Sequence, residues 1–195
     1  SHKEHKFNLI VPANEQGAGF MASGYARATG EVGVLLVTSG PGATNTVTPI
    51  RDAMADSIPI VLISGQVARS AVGTDAFQEA PVFNIMSACA KHVFLVEEPE
   101  KLEEIVRTAF YIARSGRPGP VVIDVPKDVQ NYECTFKGKG LLPLHGYYQR
   151  MEKINKAELT PEEAKEFFDL LKSSRRPLLY VGRGVINSNS AHILR

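Results

Sequence analysis

A single carboxylate near the start of the chain, Glu15, lies where it could take part in acid–base chemistry. It follows the apolar run 7–12 (Phe-Asn-Leu-Ile-Val-Pro), which predicts a buried strand over Phe7–Val11 that ends at a proline. Small residues follow and predict a tightly packed helix over Gly17–Thr29. Ligands of open α/β sheets bind beyond the carboxyl ends of strands, so Glu15 is a candidate site residue. Acidic residues at helix starts more often only stabilise the helix dipole, and Glu15 by itself leaves both roles open.

Three glycine-bearing segments also follow predicted strands, at residues 39–45, 65–67 and 182–184. Glycine lets a backbone approach a ligand closely, although tight turns between strands and helices need glycine in any case. None of the three segments is a GxGxxG dinucleotide fingerprint or a phosphate-binding P-loop. A nicotinamide-dependent dehydrogenase therefore has little support.

The elements that must position these residues follow a regular order. Apolar runs alternate with helical segments, which implies a mostly parallel, doubly wound α/β sheet. The run Gly33–Thr38 is continuously apolar, so its strand is expected to be buried on both faces. Thr44 and Asn45 are expected to act as helix caps. The expected strands are Phe7–Val11, Gly33–Thr38, Ile58–Gly65, Lys91–Val96 and Val121–Val125, and the expected helices are Gly17–Thr29, Ala43–Ala55, Val82–Met86 and Pro99–Ser115.

The pattern changes in the last third of the chain. Residues 131–158 are rich in glycine, proline and charge, which predicts a linker between a first domain, 1–130, and a second domain that begins at 159–195. Thr160 begins a capping box with Glu163, so a helix is predicted from there to about Ser173. A strand is then predicted over Pro177–Gly182, as the opening of a second α/β domain.

Composition excludes several classes of protein. The 22 basic and 21 acidic side chains give a net charge of +1, which gives no electrostatic case for nucleic acid or an anionic membrane. No apolar run approaches the roughly 20 residues of a membrane span. The two cysteines have no CxxC spacing, which fits a reducing compartment, and the five histidines have no metal-ligand spacing, so no metal ligands are assigned. The chain starts with Ser rather than Met, and we expect it to be a fragment of a longer protein.

Five motifs in order make a family assignment possible. The chain closely resembles the catalytic subunit of acetohydroxyacid synthase (acetolactate synthase), a thiamine-diphosphate enzyme, over nearly its whole length. The motif at 73–79 points to the biosynthetic synthases in particular. The motifs are Asn-Glu-Gln-Gly at 14–17, Thr-Ser-Gly-Pro-Gly-Ala-Thr-Asn at 38–45, Gly-Thr-Asp-Ala-Phe-Gln-Glu at 73–79, Ser-Gly-Arg-Pro-Gly-Pro-Val at 115–121 and Asp-Val-Pro-Lys-Asp at 124–128.

The resemblance implies a fold and a role for each candidate residue. Residues 1–130 would be a pyrimidine-binding domain, incomplete at its N-terminus, and 159–195 the start of an FAD-binding-type domain. Glu15 would be the catalytic residue that binds N1′ of the cofactor, in an apolar environment that raises its pKa. Gln78 would contact thiamine diphosphate. Further residues would contact FAD (Arg117, and Arg183 where the family usually has glycine) or line the substrate and inhibitor channel (Ser57, Phe77, Lys91 and Lys127).

Taken without the resemblance, the same residues have simpler explanations. Gln78 is then a polar loop residue and Arg117 a charge at a Pro/Gly turn. Lys91 and Lys127 are then solvated lysines at strand ends.

The resemblance also implies cofactors and partners. Thiamine diphosphate, Mg²⁺ and FAD would be bound, with the Mg²⁺ ligands on sequence outside this chain, so this chain by itself is expected to be inactive. Pyruvate and 2-ketobutyrate would be the substrates of a homodimer or homotetramer, with or without a regulatory subunit. The enzyme would work in the bacterial cytoplasm, a mitochondrion or a plastid. Two alternatives stay open at this point. They are another thiamine-diphosphate enzyme, such as pyruvate oxidase, and a non-catalytic α/β scaffold.

Overall fold

The computed structural model describes residues 8–156 and 158–194, which form two compact units that divide between His145 and Gly146. The first unit contains the sheet. Its strands are β1 (Gly33–Val37), β2 (Ile60–Gln66), β3 (His92–Leu95) and β4 (Val121–Pro126). Its helices are α1 (Glu15–Thr29), α2 (Pro41–Thr44), α3 (Val47–Ala55), α4 (Val82–Ser87), α5 (Leu102–Arg114) and α6 (Lys127–Gln130).

All four strands are parallel, in the order β1-β2-β4-β3, and helices pack against them. Gly33 pairs with Ile60, and Val121 pairs with Val61 on one side and His92 on the other. The central strands β2 and β4 are rich in β-branched residues and almost wholly buried, as expected for strands covered on both faces. The predicted parallel α/β fold is confirmed.

Small residues set the position of α1 against the sheet. A Cβ atom on Gly19 would lie 2.4 Å from Cγ of Pro49, and one on Gly33 would lie 2.2 Å from the carbonyl oxygen of Ala22. The predicted tight packing of this helix is therefore confirmed. The close approach brings the N-terminus of α1, where Glu15 lies, towards the turn that follows β1.

Two expectations about the strands of the first unit are wrong. Residues 8–11 of the predicted strand Phe7–Val11 form no strand, and Ile10 and Val11 are 68% and 83% exposed; Phe7 lies outside the described residues. The strand β1 is buried on one face only, since Leu36 on its other face is 70% exposed. A strand forms only where a neighbour pairs with its backbone, and among the described residues the free edge of β1 has no such neighbour.

The expected helix Ala43–Ala55 is divided in two. It begins earlier, at Pro41, and is interrupted at Asn45 and Thr46 between α2 and α3. Neither Thr44 nor Asn45 caps a helix N-terminus with its side chain, contrary to the expectation. The side chain of Asn45, at this interruption, makes a long-range contact instead.

The described residues of the second unit contain the helices α7 (Tyr147–Asn155), α8 (Pro161–Ser173) and α9 (Gly184–Asn187). The capping box that begins α8 is confirmed, with Thr160 and Glu163 bonded to each other's backbone amides. The predicted strand Pro177–Gly182 is wrong. Its residue Tyr180 is 98% exposed, and the described residues of this unit offer no strand with which it could pair.

Candidate active site

Glu15 contacts a residue thirty positions away. Asn14 caps α1 by accepting a hydrogen bond from the amide of Gly17 at 2.7 Å, which fixes the first turn of the helix. Oε2 of Glu15 then accepts a hydrogen bond from Nδ2 of Asn45 at 3.0 Å. Asn45 follows α2, so the contact joins the first turn of α1 to the turn beyond β1 and orients the carboxylate there.

The environment of Glu15 differs from the expectation of a raised pKa. The hydrogen bond from Asn45, followed by one from the backbone of Glu15 itself, lowers the pKa of this carboxyl below its usual value. The side chain is partly exposed, so little desolvation opposes these bonds. Among the described residues, Glu15 is an ionised hydrogen-bond acceptor rather than a buried acid.

Gln78 lies at the other end of α2. Its carbonyl oxygen is so close to Gly40 that a Cβ atom there would lie 2.4 Å from it, and Gly40 has a φ of 57°. Gly40 is required at this position for both reasons, because a side chain would strain the backbone and collide with Gln78. Glu15 and Gln78 thus contact opposite ends of a four-residue helix, which is roughly 6 Å long at 1.5 Å per residue.

The segment 67–79, called here the site loop, has its own internal order. The carboxylate of Glu79 accepts hydrogen bonds from the amides of Gly73 and Ala76. The amide of Glu79 in turn donates to the carbonyl oxygen of Ala76 at 2.9 Å. These backbone donors, the one from Gly73 above all, hold the pKa of Glu79 below its usual value. A charged cap inside the loop therefore fixes the turn that precedes Gln78.

The structure separates the candidate residues by sheet edge. Glu15, Phe77, Gln78 and Lys127 lie at the carboxyl ends of the strands, where ligands of such sheets bind. Phe77 is 89% exposed, and Lys127 begins the short helix directly after β4. Three further candidates lie instead before strands, at the amino ends, namely Ser57, Lys91 and Arg117.

Arg117 and Ser57 are in direct contact at this amino edge. Nε of Arg117 donates to Oγ of Ser57 at 2.8 Å, and Nη2 donates to the carbonyl oxygens of Met54 and Ala55 at 3.0 and 2.9 Å. The guanidinium therefore covers the C-terminal carbonyls of α3, where a cation is favourable. Ser57, which accepts the hydrogen bond from Arg117, has a φ of 59°. This backbone conformation is uncommon for serine.

Lys91 holds the end of α5. Its Nζ donates to the carbonyl oxygens of Ile112 and Ser115, and burial lowers the pKa of Lys91 to about 8. Gly119 packs against its aliphatic stem, since a Cβ there would lie 3.3 Å from Cβ of Lys91. The side chain thus fixes the turn that carries Arg117, and it is not the solvated lysine that its position near a strand end suggests.

The remaining candidate, Arg183, lies in the second unit. It is exposed and directly precedes α9. A Cβ atom on either neighbouring residue, Gly182 or Gly184, would meet no atom within 4 Å. Nothing in the described part of that unit therefore constrains these glycines by packing.

An open groove of about 1820 Å³ lies over the sheet face that α5 covers. Apolar side chains of β1, β2 and α5 line it, together with Lys127. Lys127 is therefore the candidate residue that the groove includes, whereas Glu15 and Gln78 are not part of its lining. In the described residues no three His, Cys, Asp or Glu side chains lie together as a metal would require, and no helix has the length and apolarity to cross a bilayer.

Comparison with known proteins identifies related sequences. Residues 1–88 match the family described as thiamine pyrophosphate enzyme, N-terminal TPP binding domain. The chain is 48% identical over 188 residues to the mitochondrial acetolactate synthase catalytic subunit of Saccharomyces cerevisiae. The chain is related to the catalytic subunits of acetolactate synthase.

Other acetolactate synthases are similar to a comparable degree. The acetolactate synthase of Mycobacterium bovis is 46% identical over 190 residues, and the chloroplastic one of Arabidopsis thaliana 44% over 182 residues. These matches cover 92% to 97% of this chain, and the match to the yeast subunit covers 95%. The chain spans only 26% to 30% of the length of these relatives.

Sequence reasoning missed several residues of the carboxyl edge. The sequence predicts a helix cap at Asn45 and assigns no role to Glu79, Gln66 or Asp124. Asn45, Glu79 and Asp124 lie inside the motifs that carry the family resemblance, and that membership is an available signal. The contacts of Gln66 and Asp124 depend on strand register, which no local pattern reveals.

Proposed function

We propose that this chain forms the part of an acetolactate synthase that holds the aminopyrimidine end of thiamine diphosphate, with Glu15 as the carboxylate at N1′. The observation that carries the proposal is the Asn45-oriented carboxylate at the carboxyl edge of the sheet, in a chain 44% to 48% identical to acetolactate synthases. The alternative of a pyruvate oxidase has no such support among the relatives described above.

The residues of this edge fit the pyrimidine group. An ionised carboxylate accepts a hydrogen bond from a protonated ring nitrogen, and the lowered pKa of Glu15 keeps it ionised. Its bond to Asn45 limits how the carboxylate can turn. Gln78, held beside Gly40, supplies an exposed amide near the same short helix. When bound, thiamine diphosphate supplies the electron sink for joining a two-carbon unit from pyruvate to a second 2-ketoacid.

The proposal extends to further groups. FAD is proposed as a cofactor with Arg117 and Arg183 as contacts, and Ser57, Phe77, Lys91 and Lys127 as residues of a substrate channel. Mg²⁺ and 2-ketobutyrate, a homodimer or homotetramer and a regulatory subunit are proposed for the complete enzyme. In this structure the guanidinium of Arg117 is already engaged, so a flavin contact would add to the bonds it makes with Ser57 and α3.

A chimera tests the role of Glu15. In it, this chain replaces the 188 matching residues of the yeast catalytic subunit, and acetolactate formation from pyruvate is measured. We expect Glu15→Gln to lower kcat by at least about a hundredfold, the usual contribution of a proton-transferring group. The matched control is Glu162→Gln, another glutamate in the first turn of a helix. Both variants lose a charge at a helix N-terminus, and only the first loses the carboxylate at the site.

The outcomes separate catalysis from helix stabilisation. Equal, small losses of activity in the two variants would reduce Glu15 to a helix-end charge and refute the proposal. Isothermal titration of the chain by itself is a second test. We expect no tight, Mg²⁺-dependent binding of thiamine diphosphate, because no three His, Cys, Asp or Glu side chains of the described residues lie together as a metal site.

A further inference from the structure

The two ends of the site loop, residues 67–79, meet on a single side chain. Gln66 is the last residue of β2 and is 6% exposed. Its Oε1 accepts a hydrogen bond from the amide of Val67, at the start of the loop, at 2.9 Å. Its Nε2 donates to the carbonyl oxygen of Ala80, directly after the loop, at 3.0 Å. One amide group therefore closes the base of a thirteen-residue loop that carries Gln78.

A buried carboxylate orients that amide. Nε2 of Gln66 also donates to Oδ2 of Asp124 at 3.0 Å, and Asp124 is 1% exposed. Ser64 pairs with Asp124 across the parallel strands, and side chains two positions apart share a face of the sheet. The register of β2 against β4 therefore places Gln66 beside Asp124. Because a carboxylate only accepts, it fixes which end of the Gln66 amide is the NH₂ group.

Burial of the Asp124 carboxylate costs free energy. This cost favours a specific role for its contact with Gln66. Among the described residues, Oδ1 of Asp124 has no hydrogen-bond partner, although buried polar atoms are nearly always paired. Desolvation raises the pKa of Asp124 to about 6, against the weaker opposing effects of Gln66 and Ser64. An apolar residue would fill this position in the core without that cost.

The other anchor of the loop is weaker. Arg69 donates from its amide and from Nε to the carboxylate of Asp128, and from Nη1 to the carbonyl oxygen of Glu97. The side chains of Arg69 and Asp128 are 46% and 37% exposed, and ion pairs in water contribute little. The buried contacts of Gln66 are therefore the stronger connection between the loop and the sheet.

We propose that Gln66 and Asp124 are positioning residues that clamp the base of the site loop and thereby hold Gln78 against the turn at Gly40. Gln66 joins the two loop ends, and Asp124 sets the orientation of the Gln66 amide. The value of this clamp to a cofactor rests on the function proposed above. The closure of the loop by Gln66 does not rest on that function, because it can be measured without enzyme turnover. The clamp and the proposed function can therefore fail separately.

The test is site-resolved amide hydrogen exchange on this chain. We expect Gln66→Met to accelerate exchange at the Arg69 and Glu79 amides by about tenfold to hundredfold, the effect of losing two or three hydrogen bonds. The amide of Leu62, in the buried part of β2, is expected to keep its rate. The matched control is Gln130→Met, which removes a glutamine whose Nε2 likewise donates to a backbone carbonyl, that of Val125, and not to the loop.

A second pair of variants tests the part played by Asp124. Asp124→Asn keeps an acceptor oxygen and is expected to preserve loop exchange within about threefold, whereas Asp124→Leu removes the acceptor and is expected to release the loop. Unchanged loop exchange in Gln66→Met would overturn the proposal. Equal acceleration of exchange at Leu62 and at the loop amides would also overturn it, because that result indicates general loosening of the sheet. Equal acceleration of loop exchange in Asp124→Asn and Asp124→Leu would overturn the role of Asp124.

Discussion

Replacement of Asp124 by asparagine should make the stability of this protein less sensitive to pH. Burial raises the pKa of this carboxyl from 3.8 to about 6 in the folded state. Between these two values the folded protein holds a proton that the unfolded chain has lost, so stability falls as pH rises. At about 1.36 kcal/mol per pKa unit, the shift amounts to about 3 kcal/mol at neutral pH. Asparagine does not titrate, so the variant escapes this loss.

The measurement compares, at two pH values, the difference in unfolding free energy between the variant and the original chain. The free energy of unfolding is determined by urea titration, followed by circular dichroism, for the original chain and Asp124→Asn at pH 4.5 and pH 7. Integrating the linkage between pKa values of 3.8 and about 6 gives about 1 kcal/mol already lost at pH 4.5. The advantage of the variant should therefore grow by about 2 kcal/mol between the two pH values. Asp169→Asn, at an exposed position of α8, is the control for loss of one carboxylate.

The sign of the change decides whether the reasoning holds. Contributions of the other acidic groups are shared by both proteins and cancel in the difference. A stability difference that stays constant with pH would mean that Asp124 titrates alike in the folded and unfolded states, and the argument from its burial would then be wrong. A difference that shrinks as pH rises would mean that the folded protein favours the ionised form.

Three further predictions concern other parts of the molecule. Gly40→Ala should destabilise the first unit by at least about 1 kcal/mol in urea titration, because alanine is strained at positive φ and its Cβ would collide with Gln78; an unchanged midpoint would contradict this. Lys91→Met should be compared with the original chain between pH 8 and 10.5. Over that range the original should gain stability relative to the variant, because its folded state has already released a proton that the unfolded lysine keeps; a relative loss would refute the burial argument. Thr160→Ala should weaken α8 by about 1 kcal/mol, measured as lost helical circular dichroism on mild heating, and equal helicity in both proteins would argue against the capping box.

The structure confirms sequence predictions where the determining interactions are local. The capping box at Thr160 connects residues three apart, and the start of α8 follows from it. The alternation of apolar runs with helical segments likewise fixed a parallel α/β sheet, because a parallel strand can be reached only through a crossover. The same local reasoning failed for Pro177–Gly182, whose composition suits a strand but which has no partner among the described residues.

The candidate site likewise combines features that are local in the sequence with contacts between distant residues. The sequence by itself determined the order of the motifs, the carboxylate at Glu15 and the glycines at the turns. The family resemblance rests on these features. Only the tertiary structure decided that Asn45 binds Glu15, that Gln66 closes the site loop, and that Arg117 lies at the opposite sheet edge. Each of these depends on strand order and register, which are set by packing between residues distant in the chain and leave no mark on local spacing.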